Sequence, residues 1–303
     1  MRPYLLDPIA FELGPITVHW YGIILATGAL VGLLLAIREG RRFGIPSDFF
    51  MDLMLIGAPT AIICARIYYV IFEWEKYRDN PVDVFKIWEG GIAIHGALIG
   101  MILAGVYLCR KRGYPFWRIV DIAAPSIIIG QMIGRWGNFM NQEAHGGPVD
   151  EEFLRNTLHI PGFIVDYMYI DGVHYHPTFL YESIWNLLGF VLLILLRRLA
   201  NPRAGELFFT YFIWYSFGRF FVEGLRTDSL AFDGPVWLEG LLRALWAPMT
   251  LLFGPEGELT GGNIRMAQFI SLALILGAAA AIVLRRVTGM ANERYKDPIR
   301  RYS

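Results

Sequence analysis

Gly134-Arg135-Trp136-Gly137-Asn138-Phe139-Met140-Asn141-Gln142-Glu143-Ala144-His145-Gly146-Gly147 follows directly on the apolar run Ile119–Ile133. The stretch brings an arginine, two asparagines, a glutamine, a glutamate, a histidine and four glycines to the end of that run. Hydrocarbon penalises such groups, so they persist there only where they pair with one another or line a polar cavity. An apolar helix that ends in a polar, glycine-rich loop is the mark of a site built at the edge of a membrane.

The rest of the chain agrees with a membrane setting. Its 303 residues are 55% hydrophobic and 15% aromatic, with only 18% charged, and the mean hydropathy is +0.43. Soluble domains carry about one quarter charged residues, so the balance predicts an all-α polytopic membrane protein. The net charge is +0, which gives no global attraction to nucleic acid, and none is expected as a partner. Cys64 and Cys109 lie within or at the end of apolar runs, with nothing nearby suited to forming a thiolate. No CxxC pair and no HExxH helix occurs, so no metal site is expected.

Seven apolar stretches approach or reach the roughly 20 residues that a spanning helix needs: 17–37, 51–72, 92–109, 118–137, 177–196, 205–224 and 266–284. Sixteen of the 27 Lys and Arg residues fall on the side that holds Arg38–Arg42, Arg110–Arg118, Arg197–Arg203 and the tail after the seventh span. Eight fall on the other side, and Arg66, Arg135 and Arg219 lie inside spans. The positive-inside rule then predicts an outer N-terminus and a cytoplasmic C-terminus. The first span lacks a basic leader and a small-residue cleavage site, so it reads as retained. The whole chain, 1–303, reads as a single integral-membrane domain.

Two outer connections are long. Residues 138–176 carry the opening stretch and form a small outer-face cap, in which Tyr167-Met168-Tyr169-Ile170, Asp171-Gly172 and Val173-His174-Tyr175 spell a β-hairpin. Residues 227–265 form the second. Trp237–Phe253 within it is apolar, Trp-rich and interrupted by Pro248, and reads as an interfacial helix or, alternatively, a re-entrant segment.

With this orientation the polar residues fall at one depth. The fourth and sixth spans run outward, putting Arg135 about 25 Å and Arg219 about 21 Å along their helices at ~1.5 Å per residue. Arg66, Tyr21, His95, His176, Tyr181 and Glu182 all occupy outer halves of spans or their outer ends. Gln131, Arg135 and Asn138 share one helix face, as do Arg219, Glu223 and Arg226. Guanidinium suits a poorly hydrated phosphate, being planar, permanently charged and bidentate. Structural ion pairs, Arg219–Glu223 and Arg135–Glu143, are the competing explanation.

His95 sits in the small-residue segment Gly90–Gly100, where close helix packing is expected. It reads either as a hydrogen-bonded structural histidine or as a base whose ordinary pKa suits a thiol proton. His174 and His176 alternate on a strand, a weak metal pattern. Trp20, Trp88 and Trp185 read as interfacial anchors, whereas Tyr21 has a phenol able to hydrogen-bond in the polar cavity.

Written G-R-x-G-N-F-x-N-x-E-x-x-G, the opening stretch closely resembles the signature of the prolipoprotein diacylglyceryl transferase family. Val18–Gly22, Gly91–Gly100 around His95, His176–Glu182 and Gly218–Glu223 resemble family segments in the expected order. The resemblance implies transfer of a diacylglyceryl group from phosphatidylglycerol, a membrane lipid, to the lipobox cysteine thiol of a prolipoprotein signal peptide. It implies contacts to the lipid from Arg135, Asn138 and Arg219, with Arg219 also catalytic and His95 as base. Tyr21, Glu143, Gly146 and Glu223 match positions of functional weight in the family. No cofactor is implied, since the leaving group is already a phosphate ester. About thirty residues, roughly 232–262, stand where the family usually has a short connection.

Three rivals remain at this level. A transporter predicts paired broken helices and an internal repeat, and neither is found in the seven spans. An intramembrane hydrolase predicts a motif such as G-x-S-x-G, which is absent. A lipid-binding scaffold differs from the enzyme only in turnover.

Overall fold

The computed structural model describes residues 7–14, 16–254, 256–257 and 259–301. An N-terminal strand pair, β1 (Ile9–Leu13) and β2 (Ile16–His19), precedes α1 (Trp20–Arg42) and α2 (Ser47–Phe72). Then come α3 (Ile94–Arg112), α4 (Phe116–Met140), α5 (Gly162–Tyr167), and the strands β3 (Tyr169–Ile170) and β4 (Val173–His174). The chain continues through α6 (Thr178–Leu195), α7 (Glu206–Leu225), β5 (Ala231–Phe232), α8 (Val236–Trp246), α9 (Thr250–Phe253), β6 (Ile264–Arg265) and α10 (Met266–Val287). The fold is all-α and polytopic, with only two-stranded sheets beside the helices.

Each predicted span is a helix within a few residues of its expected limits, except that residues 17–19 belong to β2. The strand pair was not anticipated, because Thr17-Val18-His19 merges smoothly into the apolar run that follows. Among the described residues seven helices are long and apolar enough to cross a membrane, Val236–Phe253 included and α7 not. Helix α7 is 20 residues long, about 30 Å at ~1.5 Å per residue, and Arg219 and Glu223 lower its mean hydropathy. The contacts of Val236–Phe253 keep it at one end of its neighbours. Leu238, Leu242 and Trp246 cluster with Phe220, Leu225 and Ile264, and Phe253 meets His176 and Tyr181, both at the start of α6. It therefore packs against the C-terminal part of α7, and α7 itself is long enough to span.

The chain divides into two compact units, residues 1–32 with 124–295, and residues 33–123 with 296–303. In the second, α2 packs along α3 at a distance set by Gly96 and Gly100. A Cβ on Gly96 would lie 2.7 Å from Ala65 Cα, and one on Gly100 would lie 2.6 Å from the Thr60 carbonyl oxygen. This is the small-residue contact anticipated around His95. Arg66 is buried in the same unit. Its guanidinium donates to the carbonyls of Val84 (2.8 Å), Gly90 (2.7 Å), Gly91 (2.9 Å) and Asp83 (2.7 Å). Sequence reasoning grouped Arg66 with the convergent polar residues; the structure gives it to the 83–91 segment, which it holds together.

In the first unit α7 packs against α6 and α10. Trp185 and Trp214 stack at 4.2 Å, and each indole N–H donates to the other's carbonyl, at 2.8 and 2.9 Å. Trp185 is therefore an inter-helix key and not the interfacial anchor that its position predicted. The cap has its own core, with Phe139, Leu154, Ile164, Val165, Tyr167 and Phe179 buried together. Its hairpin forms as expected, pairing Tyr169 with His174 and Ile170 with Val173. Asp171 (φ 48°) and Gly172 (φ 92°) supply the two left-handed residues of the tight turn.

Candidate active site

The signature arginine lies near the end of α4, and its partner lies across on α6. Arg135 Nε forms an ion pair with Glu182 Oε2. The other oxygen of that carboxylate accepts from Arg219 Nη1 at 2.7 Å, and Arg219 Nη2 reaches Glu223 Oε2 at 2.5 Å. Glu182 is thus the link between the two arginines singled out from sequence. Both carboxylates are buried, while the arginines keep about a fifth of their side-chain surface open, 20% for Arg135 and 18% for Arg219. Two positive and two negative charges balance within this group. The expected Arg219–Glu223 pair is present, whereas the alternative Arg135–Glu143 pair is replaced by Arg135–Glu182. Glu143 instead accepts from Asn138 Nδ2 at 2.9 Å.

Glu182 escaped the sequence reading as a site residue. It was grouped with the convergent polar residues, but no spacing rule couples residue 182 to residues 135 and 219, because the pairing depends on which helices are neighbours. The rest of the face on α4 serves its own contacts: Gln131 Nε2 donates to Tyr211 Oη at 2.9 Å. On α7 the expected third member, Arg226, turns to Asp228 in a two-point pair of 2.8 and 2.6 Å. Burial alone would raise the Asp228 pKa; the Arg226 hydrogen bonds outweigh it and hold the carboxyl below its ordinary range.

The signature loop is stitched to its surroundings through backbone. Gly146 N–H donates to the His176 carbonyl at 2.9 Å and Gly147 N–H to the Leu225 carbonyl at 2.8 Å. A Cβ on Gly146 would come 2.7 Å from His176 Cβ, so glycine at this position is a packing requirement. Tyr21 lies half-buried with its ring against Gly137, where a Cβ would meet it at 2.8 Å. His176 is buried, with Nδ1 3.1 Å from Tyr181 Oη, and burial pushes its pKa down to about 4. His174 instead faces Tyr169 and, at 3.8 Å, Glu151. The two histidines therefore go to different partners.

His95 belongs to the second unit, in the first turn of α3, exposed and with its ring 5.8 Å from that of Tyr68. Its assignment as base rests on its chemistry and its place at a helix start.

Two guanidinium groups held side by side can hold an anion and stabilise growing negative charge on it. The comparisons with known proteins give the same class. The family described as "Prolipoprotein diacylglyceryl transferase" matches residues 8–284. The phosphatidylglycerol–prolipoprotein diacylglyceryl transferase of Bacillus cereus (strain ZK / E33L) is 53% identical over 292 residues, 96% of this chain and 97% of the relative. The protein of that name from Bacillus anthracis (strain A0248) is 53% identical with the same coverage, and that from Bacillus cereus (strain Q1) is 54% identical, again over 96% and 97%. With its signature, its helices and this likeness over almost its whole length, the chain belongs to the prolipoprotein diacylglyceryl transferase family.

Proposed function

We propose that this multi-pass membrane protein transfers the diacylglyceryl group of phosphatidylglycerol to the thiol of a prolipoprotein's lipobox cysteine, as the names of its relatives imply. The cysteine sulfur attacks the glycerol carbon that bears the phosphate ester. The C–S bond forms as the C–O bond breaks, giving a thioether and releasing glycerol phosphate. No redox change or nucleotide enters this balance. The chain works as a single integral-membrane domain, with residues 138–176 as its outer cap and 227–265 as a second outer connection. Its N-terminus is outside and its C-terminus is in the cytoplasm.

The observation that carries the reading is the convergence of Arg135 and Arg219 on one carboxylate. Two guanidinium groups that share an anionic partner suit a lipid phosphate and, better still, the second negative charge that develops on it as the ester oxygen leaves. Asn138, Tyr21, Glu143, Gly146 and Glu223 shape this site, and His95 takes the thiol proton. Turnover by the purified protein is the deciding experiment, with phosphatidylglycerol and a peptide carrying a lipobox cysteine as substrates. Thioether product with equimolar glycerol phosphate supports the enzyme; lipid binding without either product leaves a scaffold.

A further inference from the structure

We propose that Glu182 is a resident anion: it holds the Arg135–Arg219 pair until the lipid phosphate arrives, then swings one helical turn along α6 to Asn186. This rests on the reading of the two arginines as the phosphate site. Charge makes the exchange necessary. With Glu182 and Glu223 in place the group is neutral, and a phosphodiester added to it would put three anions against two cations. If one carboxylate leaves, one monoanion replaces another and the balance is kept.

The bridge is built to let go. Glu182 Oε2 and Glu223 Oε2 are buried and neither accepts a hydrogen bond among the described residues. Glu182 accepts one hydrogen bond, from Arg219 Nη1 at 2.7 Å, and meets Arg135 through its other oxygen as an ion pair, so neither guanidinium holds it in a two-point pair.

A displaced carboxylate also needs somewhere to go, because an unpaired charge in a buried site is costly. Asn186 is 1% exposed and its Nδ2 has no hydrogen-bond partner among the described residues. It lies four residues after Glu182 on the same face of α6, a spacing at which side chains meet. Ser216, also 1% exposed, has an unpartnered Oγ and lies three residues before Arg219 on the same face of α7. Buried donors without partners are rare in folded proteins and call for an explanation. Two such donors, one turn from each half of a buried ion pair, are explained as the second seat of the Glu182 carboxylate. The exchange also serves release: returning to the arginines, Glu182 competes with the glycerol phosphate product.

The proposal is tested by the KM for phosphatidylglycerol and by kcat in purified variants whose melting temperatures are measured in parallel. Glu182→Gln should lower that KM about tenfold, with kcat reduced and with inhibition by glycerol phosphate about tenfold stronger, the scale of one charge-assisted hydrogen bond. Asn186→Leu should raise the KM about tenfold with kcat little changed, and in the Glu182→Gln background it should have no effect on KM. An unchanged or higher KM in Glu182→Gln, or a KM effect of Asn186→Leu that persists in the double variant, overturns the exchange. If Glu182→Gln does not fold, Asn186→Leu decides alone, and an unchanged KM overturns the proposal. Wild-type protein without turnover would instead refute the enzymatic reading itself, so the two failures are distinguishable.

Discussion

The indole of Trp246 occupies the space beside Gly224, leaving no room there for a Cβ, and its Nε1 donates to the Phe221 carbonyl at 3.0 Å. Helix α8 is thereby keyed into the backbone of α7 between Arg219 and Arg226. Trp246→Ala should cost about 3–5 kcal/mol, the range for large aromatic truncations in a core. Gly224→Ala should cost about 1–3 kcal/mol through overpacking, since the indole is rigid. Thermal unfolding in detergent checks both, and Gly224→Ala at wild-type stability would refute the close fit.

Arg135→Ala and Arg219→Ala should each abolish most transfer, because each removes half of the proposed phosphate clamp and leaves Glu182 under-compensated. Arg135→Lys should recover little, as an ammonium lacks the planar fork. Initial rates at matched membrane expression decide this. Near-normal transfer in both alanine variants would leave a structural ion-pair network as the better account.

His95→Asn should slow transfer by roughly 10²–10⁴, the usual span for loss of a general base. The defect should shrink as pH approaches the thiol pKa of about 8.5, where solvent supplies thiolate. Rates from pH 6.5 to 9.5 provide the check: a constant ratio of mutant to wild type across that range is incompatible with the base role.

His176 carries a pH-dependent share of stability. Its pKa is about 4 in the fold, against ~6.5 in an unfolded chain. Between those values the unfolded chain binds the proton and the folded one does not, so this share is complete above pH 6.5 and is lost as pH falls towards 4. It amounts to at most about 3 kcal/mol. His176→Gln should flatten the fall in melting temperature over that window, and an identical slope in wild type and variant would contradict the burial argument.

Arg66→Lys should loosen the 83–91 segment, because an ammonium cannot reach the four carbonyls that the guanidinium serves. A loss of roughly 2 kcal/mol or more is expected, with faster proteolysis confined to that segment. Cleavage at the wild-type rate would remove its structural role.

The spans and the hairpin were legible in the sequence because each follows from a local pattern. Hydropathy marks helices, and Asp171-Gly172 marks a turn. The partners were not. Arg66 and Arg135 looked alike as arginines buried in apolar runs, yet one binds backbone carbonyls and the other a carboxylate two helices along the chain. Glu182 was visible as an acid near the start of an apolar run, but its link to Arg135 and Arg219 depends on α4, α6 and α7 meeting. Trp185 followed the pattern of an anchor, and only the facing Trp214 reveals its role.

The pairing of Ala231 with Arg265 and of Phe232 with Ile264 means that the chain leaves α7 and returns to α10 through a single doorway. Everything between those strands is an excursion whose two ends are already fastened. Closing a longer or shorter loop on such a fastening changes the free energy only logarithmically. The segment can therefore be trimmed, extended or exchanged for a foreign module while the α7–α10 pair stays put, with the berth of Trp246 beside Gly224 and the seats of Leu238, Leu242 and Phe253 as the fittings to be refilled.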